Sequence, residues 1–270
     1  MTRTGDSKFV GSIPEIYETH LVPLIFEPYA EDLAKRLVIR PPSRVLEVAA
    51  GTGVVTRALA RTLPASTTIV ATDLNPAMLD RAAVVGTVRP VGWRQADALD
   101  LPFEDRSFDA VVCQFGVMFF PDKPRAFSEA RRVLAPGGMF LLNVWDRIED
   151  NEFADVITLR LGELFPSDPP LFMARTPHGY HDPDEVVRDL AAGGFTATPA
   201  VEVLAARSRA ATARGPALAY CQGTILRTEI EARGGDIEEA TEATTRAVAE
   251  RFGDGPVDGK IQALVVTVER

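Results

Sequence analysis

The stretch Arg44-Val-Leu-Glu-Val-Ala-Ala-Gly-Thr-Gly53, which continues into Val54-Val-Thr-Arg-Ala-Leu-Ala60, decides the fold. Its first half is an apolar run typical of a buried strand, and the apolar spacing after Gly53 is typical of a helix. Glycines at 51 and 53 allow a sharp turn and the close approach of a ligand. The first amides of the following helix have no intrahelical partner. The sequence therefore predicts a nucleotide-cofactor site at this join.

A second apolar run, Ile69-Val-Ala-Thr, ends in the carboxylate of Asp73. In dinucleotide-binding sheets, an acidic residue about 20 positions after the glycine loop accepts hydrogen bonds from ribose hydroxyls. Isolated glycines would be explained by strand-to-helix packing alone. The glycine loop and the acidic strand end together favour a nucleotide cofactor with a ribose diol, and at this point they also fit an NAD(P)-dependent oxidoreductase.

From residue 44 onward, short apolar runs alternate with helical patterns. This alternation is typical of a parallel sheet with helices on both faces. The triplet Pro136-Gly-Gly138 is predicted to end a helix and lead into a strand. Five strands are predicted in this part of the chain, at residues 44–48, 68–72, 91–94, 109–113 and 139–144.

The second half of the chain has a different pattern. Two further strands are predicted at 201–206 and 261–268, and about fifty residues separate them. We therefore predict one domain over residues 1–270, with a core of about 40–207 and 259–270. An N-terminal cap of about 9–39 and a helical insertion of about 208–258 are expected to form the lid over the acceptor. Helices are predicted at 152–164, from about Asp182, at 217–227 and at 237–252.

Composition limits the class of protein. The 270 residues are 46% hydrophobic and 25% charged, which is typical of a globular chain. The formal charge of −9, with scattered basic residues, disfavours nucleic acid and anionic membrane surfaces. Neither Cys113 nor Cys221 has a metal-ligating or redox partner at short spacing, so we expect free thiols. The first eight residues do not resemble a signal peptide, and a cytoplasmic protein without membrane insertion is expected.

Five motifs in order carry a resemblance to a known family. The chain resembles class I S-adenosylmethionine-dependent methyltransferases, with a core like that of ubiquinone/menaquinone methyltransferases. The resemblance implies a Rossmann-like α/β fold, with a seven-stranded, mostly parallel sheet whose last strand is antiparallel. It also implies S-adenosylmethionine as cofactor, S-adenosylhomocysteine as product and a small-molecule acceptor, with a homodimer as a candidate assembly. The motifs are the glycine loop, Thr72-Asp-Leu-Asn-Pro-Ala-Met78, Gln95-Ala-Asp-Ala98, Ser107-Phe-Asp109 with its following strand, and Arg132-Val-Leu-Ala-Pro-Gly-Gly138.

The resemblance assigns roles to individual residues. It implies that Asp73 binds the ribose hydroxyls, that Asp97 and the Ala98 amide read adenine, and that Glu47 and the loop face the methionine portion. Tyr17 and Gln114 are expected near the reactive end, where an aromatic ring attracts a sulfonium charge. The cofactor-binding residues predicted in this way are Tyr17, Glu47, Ala49, Ala50, Gly51, Gly53, Asp73, Leu74, Met78, Asp97, Ala98 and Gln114.

One position departs from the family pattern. Where the family commonly has a glycine, this chain has Ala49. Alanine suits a backbone with negative φ, so we expect such a conformation at Ala49 and no loss of cofactor binding.

The acceptor side of the reaction is less marked in the sequence. Among three histidines, His181 is the best candidate for a general base, with Tyr180 beside it, because both lie on a loop after the region where the family builds its acceptor pocket. His20 and His178 are interpreted as structural, and no metal site is predicted. Asp97-Ala98 and the Pro-Gly-Gly turn argue against the oxidoreductase. A non-catalytic S-adenosylmethionine-binding regulator stays an open alternative.

Overall fold

A computed structural model describes residues 11–270. The prediction about the first eight residues, and the start of the predicted cap at Phe9, lie outside the described residues. Seven strands form one mixed sheet in the order β3-β2-β1-β4-β5-β7-β6, with six parallel strands and an antiparallel last strand. The predicted fold class is thereby confirmed. The strands are β1 Arg44–Val48, β2 Thr68–Asp73, β3 Gly92–Gln95, β4 Phe108–Gln114, β5 Leu134–Trp145, β6 Ala200–Ala210 and β7 Val257–Glu269.

The helices alternate with these strands in the first half and cluster in the second half. A π-helix, Tyr17–Phe26, joins the first two α-helices. Among the described residues the α-helices are α1 Ile13–Ile16, α2 Glu27–Ile39, α3 Val54–Thr62, α4 Pro76–Val85, α5 Lys123–Val133, α6 Glu152–Leu164, α7 Phe172–Arg175, α8 Pro183–Ala192, α9 Arg214–Gly223, α10 Leu226–Ala232 and α11 Ile237–Phe252.

Several predicted element boundaries differ from the structure. The last two strands are each longer than predicted, and two further differences concern a turn and a helix. The Pro136-Gly-Gly138 triplet lies inside β5 rather than before it, because β4 pairs first through Phe108 with Leu134 and then, after an irregularity, through Ala110 with Met139. The helix predicted at 217–227 is wrong as one element, since α9 ends at Gly223 and α10 begins at Leu226.

The break between α9 and α10 has a local cause. The Thr224 hydroxyl donates to the Tyr220 carbonyl at 2.6 Å and accepts from the Leu226 N–H at 3.1 Å. Threonine side chains that bond to nearby backbone in this way compete with helical hydrogen bonds. The apolar period continues across the break, which is why the sequence predicts a single helix.

The chain divides into two compact units, described separately. The sheet unit comprises Glu27–Val144, Tyr180–Leu204 and Leu264–Arg270. Its core contains Leu33 and Leu37 of α2, Leu59 of α3 and Val45 of β1, each at most 1% exposed. Burial of such side chains stabilises a fold by about 1.5–3 kcal/mol each. This packing fixes α2 and α3 against the strand that leads into the glycine loop.

The helical unit comprises the described part of Met1–Phe26, Trp145–Gly179 and Ala205–Ala263. It holds a buried ion pair, in which Arg175 Nη2 lies 2.8 Å from Glu229 Oε1. Cys221, a free thiol as predicted, contacts the Thr244 hydroxyl at 3.4 Å in its interior. Within residues 11–270, the structure contains no helix long and apolar enough to cross a bilayer.

Candidate cofactor site

The carboxyl ends of four neighbouring strands meet at one edge of the sheet. Val48 pairs with Thr72, and Asp73 pairs with Gln95, so β1, β2 and β3 end together. On the other side of β1, Glu47 pairs with Val112 of β4. The strand order reverses between β1 and β4, and ligands of open α/β sheets bind outside the carboxyl ends at such a reversal. The topology therefore places the glycine loop where a cofactor crevice is expected.

The loop after β1 adopts left-handed backbone at three of its five positions. The φ angles are 56° at Ala49, 55° at Gly51 and 85° at Gly53. The expectation of a negative φ at Ala49 is therefore wrong. The backbone turns at Ala49 because the Ala50 N–H must reach the Thr72 carbonyl, to which it donates at 2.8 Å. Alanine thus adopts a left-handed conformation that is strained for alanine and would be unstrained for glycine.

Asp73 joins the glycine loop to the end of β2. Its Oδ2 accepts from the Gly51 N–H at 2.8 Å, and its Oδ1 accepts from the Asn75 N–H at 2.8 Å. The residue is only 7% exposed, and this burial raises the pKa of its carboxyl, against the lowering effect of these amides. A carboxylate has about four acceptor positions. Asp73 can therefore hold the loop and still accept hydrogen bonds from a ribose.

Glu47 is a buried carboxyl near the end of β1, two residues before the loop. It is 2% exposed, and its Oε2 accepts from the Thr56 hydroxyl at 2.5 Å. Burial raises the pKa of Glu47 to about 8, although the bond from Thr56 and the charge of Arg57 act in the opposite direction. A buried carboxyl that is mostly protonated at neutral pH ionises when a positive charge comes near. The site thus contains a group that responds to a cationic ligand.

The Asp97 segment follows directly on the Asp73 strand end. The Ala96 N–H donates to the Asp73 carbonyl at 3.1 Å, which holds the segment at this edge. Asp97 is exposed, and its Oδ1 accepts from the Leu99 N–H at 2.9 Å, whereas Ala98 is buried. The carboxylate and the neighbouring backbone are thus fixed in one tight turn beside Asp73.

Three other predicted residues lie at or near this edge of the sheet. Leu74 is 49% exposed beside Asp73, and Met78 on α4 is 3% exposed. Gln114 ends β4, and its Oε1 lies 3.5 Å from Asn143 Nδ2. Leu74 therefore presents apolar surface at the edge of the sheet, while Met78 belongs to the core beneath it.

Sequence reasoning missed Thr52. Its side chain is 1% exposed, and its Oγ1 has no hydrogen-bond partner among the residues that the structure describes. The Arg57 guanidinium donates to the Thr52 carbonyl at 2.7 Å and so anchors the loop backbone. A buried hydroxyl without a partner is costly. Its position between two glycines of a cofactor loop is the sequence signal that would have identified it.

The loop has the features that an S-adenosylmethionine cofactor needs. The left-handed backbone makes room for a close approach, and the Thr52 hydroxyl has hydrogen-bonding capacity for a polar group. Asp73 and Glu47 supply the acceptors and the negative charge for a diol and a cationic portion. The residues present therefore fit this cofactor.

The two predicted catalytic residues have different surroundings in the sheet unit. Tyr180 is buried, and its hydroxyl donates to Asp189 Oδ2 at 2.8 Å. Burial and the Asp189 carboxylate raise the pKa of Tyr180 far above its usual value. Lys123 Nζ lies 4.6 Å from the centre of its ring. These contacts argue against proton transfer by Tyr180, whereas His181 is exposed at the residue before the N-cap of α8.

Tyr17, the remaining predicted residue, belongs to the helical unit. It begins the π-helix, and its ring stacks on Phe26 at a centroid distance of 5.2 Å. Its role toward a cofactor stays a prediction. In the described part of the chain, no cluster of three or more His, Cys, Asp or Glu side chains is suited to a metal ion.

Comparison with known proteins shows which proteins the chain resembles. Residues 46–142 match the family model described as a methyltransferase domain. The ubiquinone/menaquinone biosynthesis C-methyltransferase UbiE of Teredinibacter turnerae is 39% identical over 108 residues, which cover 38% of this chain and 43% of that protein. The demethylmenaquinone methyltransferase of Deinococcus radiodurans is 36% identical over 135 residues, which cover 49% of this chain and 56% of the relative. The chain spans about half the length of the curated relatives it matches.

A solved structure agrees in fold. The YcgJ protein of Bacillus subtilis superposes with a TM-score of 0.57 at 21% sequence identity, covering 90% of this chain and 98% of that one. This likeness supports the Rossmann-like fold of the sheet. The chain carries a methyltransferase domain of the class I, S-adenosylmethionine-dependent type, as its motifs predict.

Proposed function

We propose that this protein binds S-adenosylmethionine and transfers its methyl group to a small-molecule acceptor. The observation that carries the proposal is the convergence of two buried carboxyls, Glu47 and Asp73, on a left-handed glycine loop at the reversal of strand order. One carboxyl is suited to a ribose diol and the other to a cationic group. A methyl donor that is both a nucleoside and a sulfonium needs this combination.

The roles of the site residues follow from their chemistry. Asp73 accepts from the ribose hydroxyls while it keeps its bond from Gly51. Asp97 and the Ala98 amide bind the adenine edge, and the exposed Leu74 packs on the nucleoside. Glu47 and the loop backbone surround the cationic end, with the Thr52 hydroxyl as a further polar contact. The remaining contacts are proposed for Ala49, Ala50, Gly53, Met78, Gln114 and Tyr17.

The protein has little covalent chemistry to perform. The bound cofactor supplies an activated methyl group for in-line displacement by an oxygen, nitrogen or carbon nucleophile. The chain's contribution is alignment, which can lower a barrier by several kcal/mol, up to about 7–11 kcal/mol in the best oriented systems. A weakly acidic acceptor also needs a base, and His181 is the proposed one because histidine is the side chain that most often acts as a general base.

We infer that the acceptor is a neutral or aromatic small molecule. The matched methyltransferase domain, residues 46–142, includes neither the insertion proposed at 208–258 nor the cap proposed at 9–39, and we propose these two segments as the acceptor lid. The apolar character of the cap segment supports an uncharged acceptor. The names of the relatives make demethylated quinones the first compounds to test. A cytoplasmic location and a homodimer belong to the same proposal.

Calorimetric titration separates this function from the dinucleotide alternative. Purified protein is titrated in parallel with S-adenosylmethionine, S-adenosylhomocysteine and NAD. We expect saturable binding of the first two and no response to NAD. Tight NAD binding without a response to either sulfur-containing ligand would overturn the proposal.

A labelled-methyl screen separates an enzyme from a non-catalytic binding protein. The protein is incubated with S-adenosylmethionine labelled in its methyl group and with panels of quinols, phenols, amines and carbon acids. The Asp73→Ala variant, assayed at a cofactor concentration near the wild-type Kd, serves as the control for weakened cofactor binding. We expect label to move to an acceptor faster in the wild-type reaction than with the variant. Cofactor binding without label transfer to any panel or to a metabolite extract would favour the regulator.

A further inference from the structure

We infer that Asn143 is a positioning residue for the methyl-donor site, because it holds the turn after β4 against the glycine loop. The inference rests on the proposed function and concerns its donor end. Asn143 lies on β5, is fully buried and pairs in register with Gln114. None of the sequence motifs includes it.

The turn after β4 is strained. Phe115 has φ of 49°, which is unusual for a bulky side chain. Its N–H donates to two oxygens of Asn143, the carbonyl at 3.1 Å and Oδ1 at 3.0 Å. A residue in this region costs about 1–3 kcal/mol and persists only where its surroundings fix it. Asn143 supplies the hydrogen bonds that fix Phe115.

The side chain of Phe115 is fixed as well. Its ring meets the Tyr29 ring edge-on, with centroids 5.2 Å apart. Tyr29 is fully buried in the sheet unit, and its hydroxyl donates to the Leu204 carbonyl at 3.3 Å. Asn143 therefore holds the backbone of Phe115, and Tyr29 holds its ring. Only one conformation of the turn makes both sets of contacts.

The same turn contacts the glycine loop directly. A Cβ placed on Gly116 would lie 2.5 Å from the Ala49 Cβ and 2.8 Å from the Cys113 Sγ. Both distances are shorter than a Cβ atom can keep to another non-bonded atom. Gly116 therefore makes the space that the methyl group of Ala49 occupies. The contact joins Ala49, which has a left-handed backbone, to the glycine that follows Phe115, which is also left-handed. Movement of the turn would displace the start of the glycine loop.

Asn143 also orients the residue at the end of β4. Its Nδ2 lies 3.5 Å from Gln114 Oε1, while its Oδ1 is bonded to the next residue of the turn. The side-chain amide thus acts on both Gln114 and Phe115. Loss of this amide should loosen the donor site without removing any group that touches the cofactor.

The first test compares two buried asparagines. Asn151 in the helical unit is also about 1% exposed and bonds to backbone through Nδ2 and Oδ1. We expect Asn143→Leu to raise the Kd for S-adenosylhomocysteine about fivefold or more in folded protein. Asn151→Leu should leave this Kd within about twofold of the wild-type value. Both substitutions should lower Tm, because each removes buried hydrogen bonds. Asn143→Asp keeps an oxygen acceptor for Phe115 but loses the Nδ2 contact with Gln114, so its Kd should lie between those of wild type and Asn143→Leu.

The second test is a double-mutant cycle, which remains informative if Asn143→Leu does not fold. Gly116→Ala should raise the Kd for S-adenosylhomocysteine, and Ala49→Gly in the same protein should recover part of the loss by removing one of the two clashes. Strictly additive effects, or an unchanged Kd in folded Asn143→Leu, would overturn the inference. Failure of the wild-type protein to bind either cofactor form would instead overturn the proposed function.

Discussion

The Gly51 N–H donates to Asp73 Oδ2 across 2.8 Å, so the residue proposed to bind ribose also holds the glycine loop. Asp73→Ala removes both functions. We expect the Kd for S-adenosylmethionine to rise about tenfold or more, because hydrogen bonds to a charged group contribute about 1.5–3 kcal/mol each. Titration calorimetry on the folded variant measures this change.

Asp109 provides a matched control for that substitution. Its Oδ2 accepts from the Ser43 and Arg44 N–H groups, each at 2.9 Å, at the start of β1 rather than at its end. Asp109→Ala therefore removes the same kind of backbone anchor away from the cofactor edge. We expect a lower Tm with an unchanged Kd. An equal loss of affinity in both variants would show that Asp73 acts only through the fold.

Binding of a cationic cofactor should release protons through Glu47. Burial raises the pKa of this carboxyl to about 8, so it is mostly neutral at pH 7. A positive charge nearby favours the ionised form and lowers the pKa. Affinity for S-adenosylmethionine should therefore increase as pH rises toward about 8 and then level off. Calorimetry at pH 7 in buffers of different ionisation enthalpy counts the released protons.

The Glu47→Gln variant isolates this effect. It keeps the shape and a polar side chain but cannot ionise, so proton release at pH 7 should fall and the dependence of affinity on pH should flatten. S-adenosylhomocysteine lacks the sulfonium charge and serves as the ligand control. Equal proton release by wild type and variant would exclude Glu47 as the titrating group.

The same carboxyl predicts how stability changes with pH. The pKa of Glu47 in the folded protein, about 8, lies above its ordinary value of 4.5. The folded state therefore binds the proton more tightly than the unfolded state, and the stabilising contribution is complete below pH 4.5. It is lost as pH rises through about 8. Urea unfolding of wild type and Glu47→Gln across this range should show a steeper decline in the wild type.

The sequence predicts which residues gather at the carboxyl edge of the sheet, because that edge is built from local signals. Glycines that turn the chain and an acid at a strand end can be identified without knowledge of tertiary contacts, and the resemblance assigns them to strands that prove to be adjacent. Ala49 shows where local reasoning fails. Its φ depends on a hydrogen bond from the next residue to β2 and on the space left by Gly116, and both partners are distant in sequence.

Asn143 and Thr52 were missed for related reasons. A polar residue inside an apolar strand signals only that it has a partner, and the partner of Asn143 is a turn 28 positions away. The position of Thr52 between two glycines marks it in the sequence, but only the structure shows that its hydroxyl is buried and has no partner among the described residues. Roles that depend on packing are therefore harder to predict than roles that a motif assigns.

Tyr180 and His181 should respond differently to substitution. The Tyr180 hydroxyl is bonded to Asp189, so Tyr180→Phe should lower stability by about 1 kcal/mol and leave turnover nearly unchanged. His181→Ala should lower turnover while the cofactor Kd holds, if the acceptor needs a base. Steady-state rates with the acceptor found by the methyl screen measure both. Unchanged turnover in His181→Ala would remove it as a base.

Replacement of Ala49 by glycine should stabilise the protein, which is unusual for a loss of side chain. A left-handed alanine costs about 1–2 kcal/mol, and the greater freedom of glycine in the unfolded chain costs about 0.5–1 kcal/mol, so we expect a net gain of up to about 1.5 kcal/mol. Ala50, the next residue, has no positive φ and is 6% exposed. Ala50→Gly should therefore destabilise by about 1 kcal/mol. Urea unfolding measures both variants, and destabilisation of similar size in both would contradict strain at Ala49.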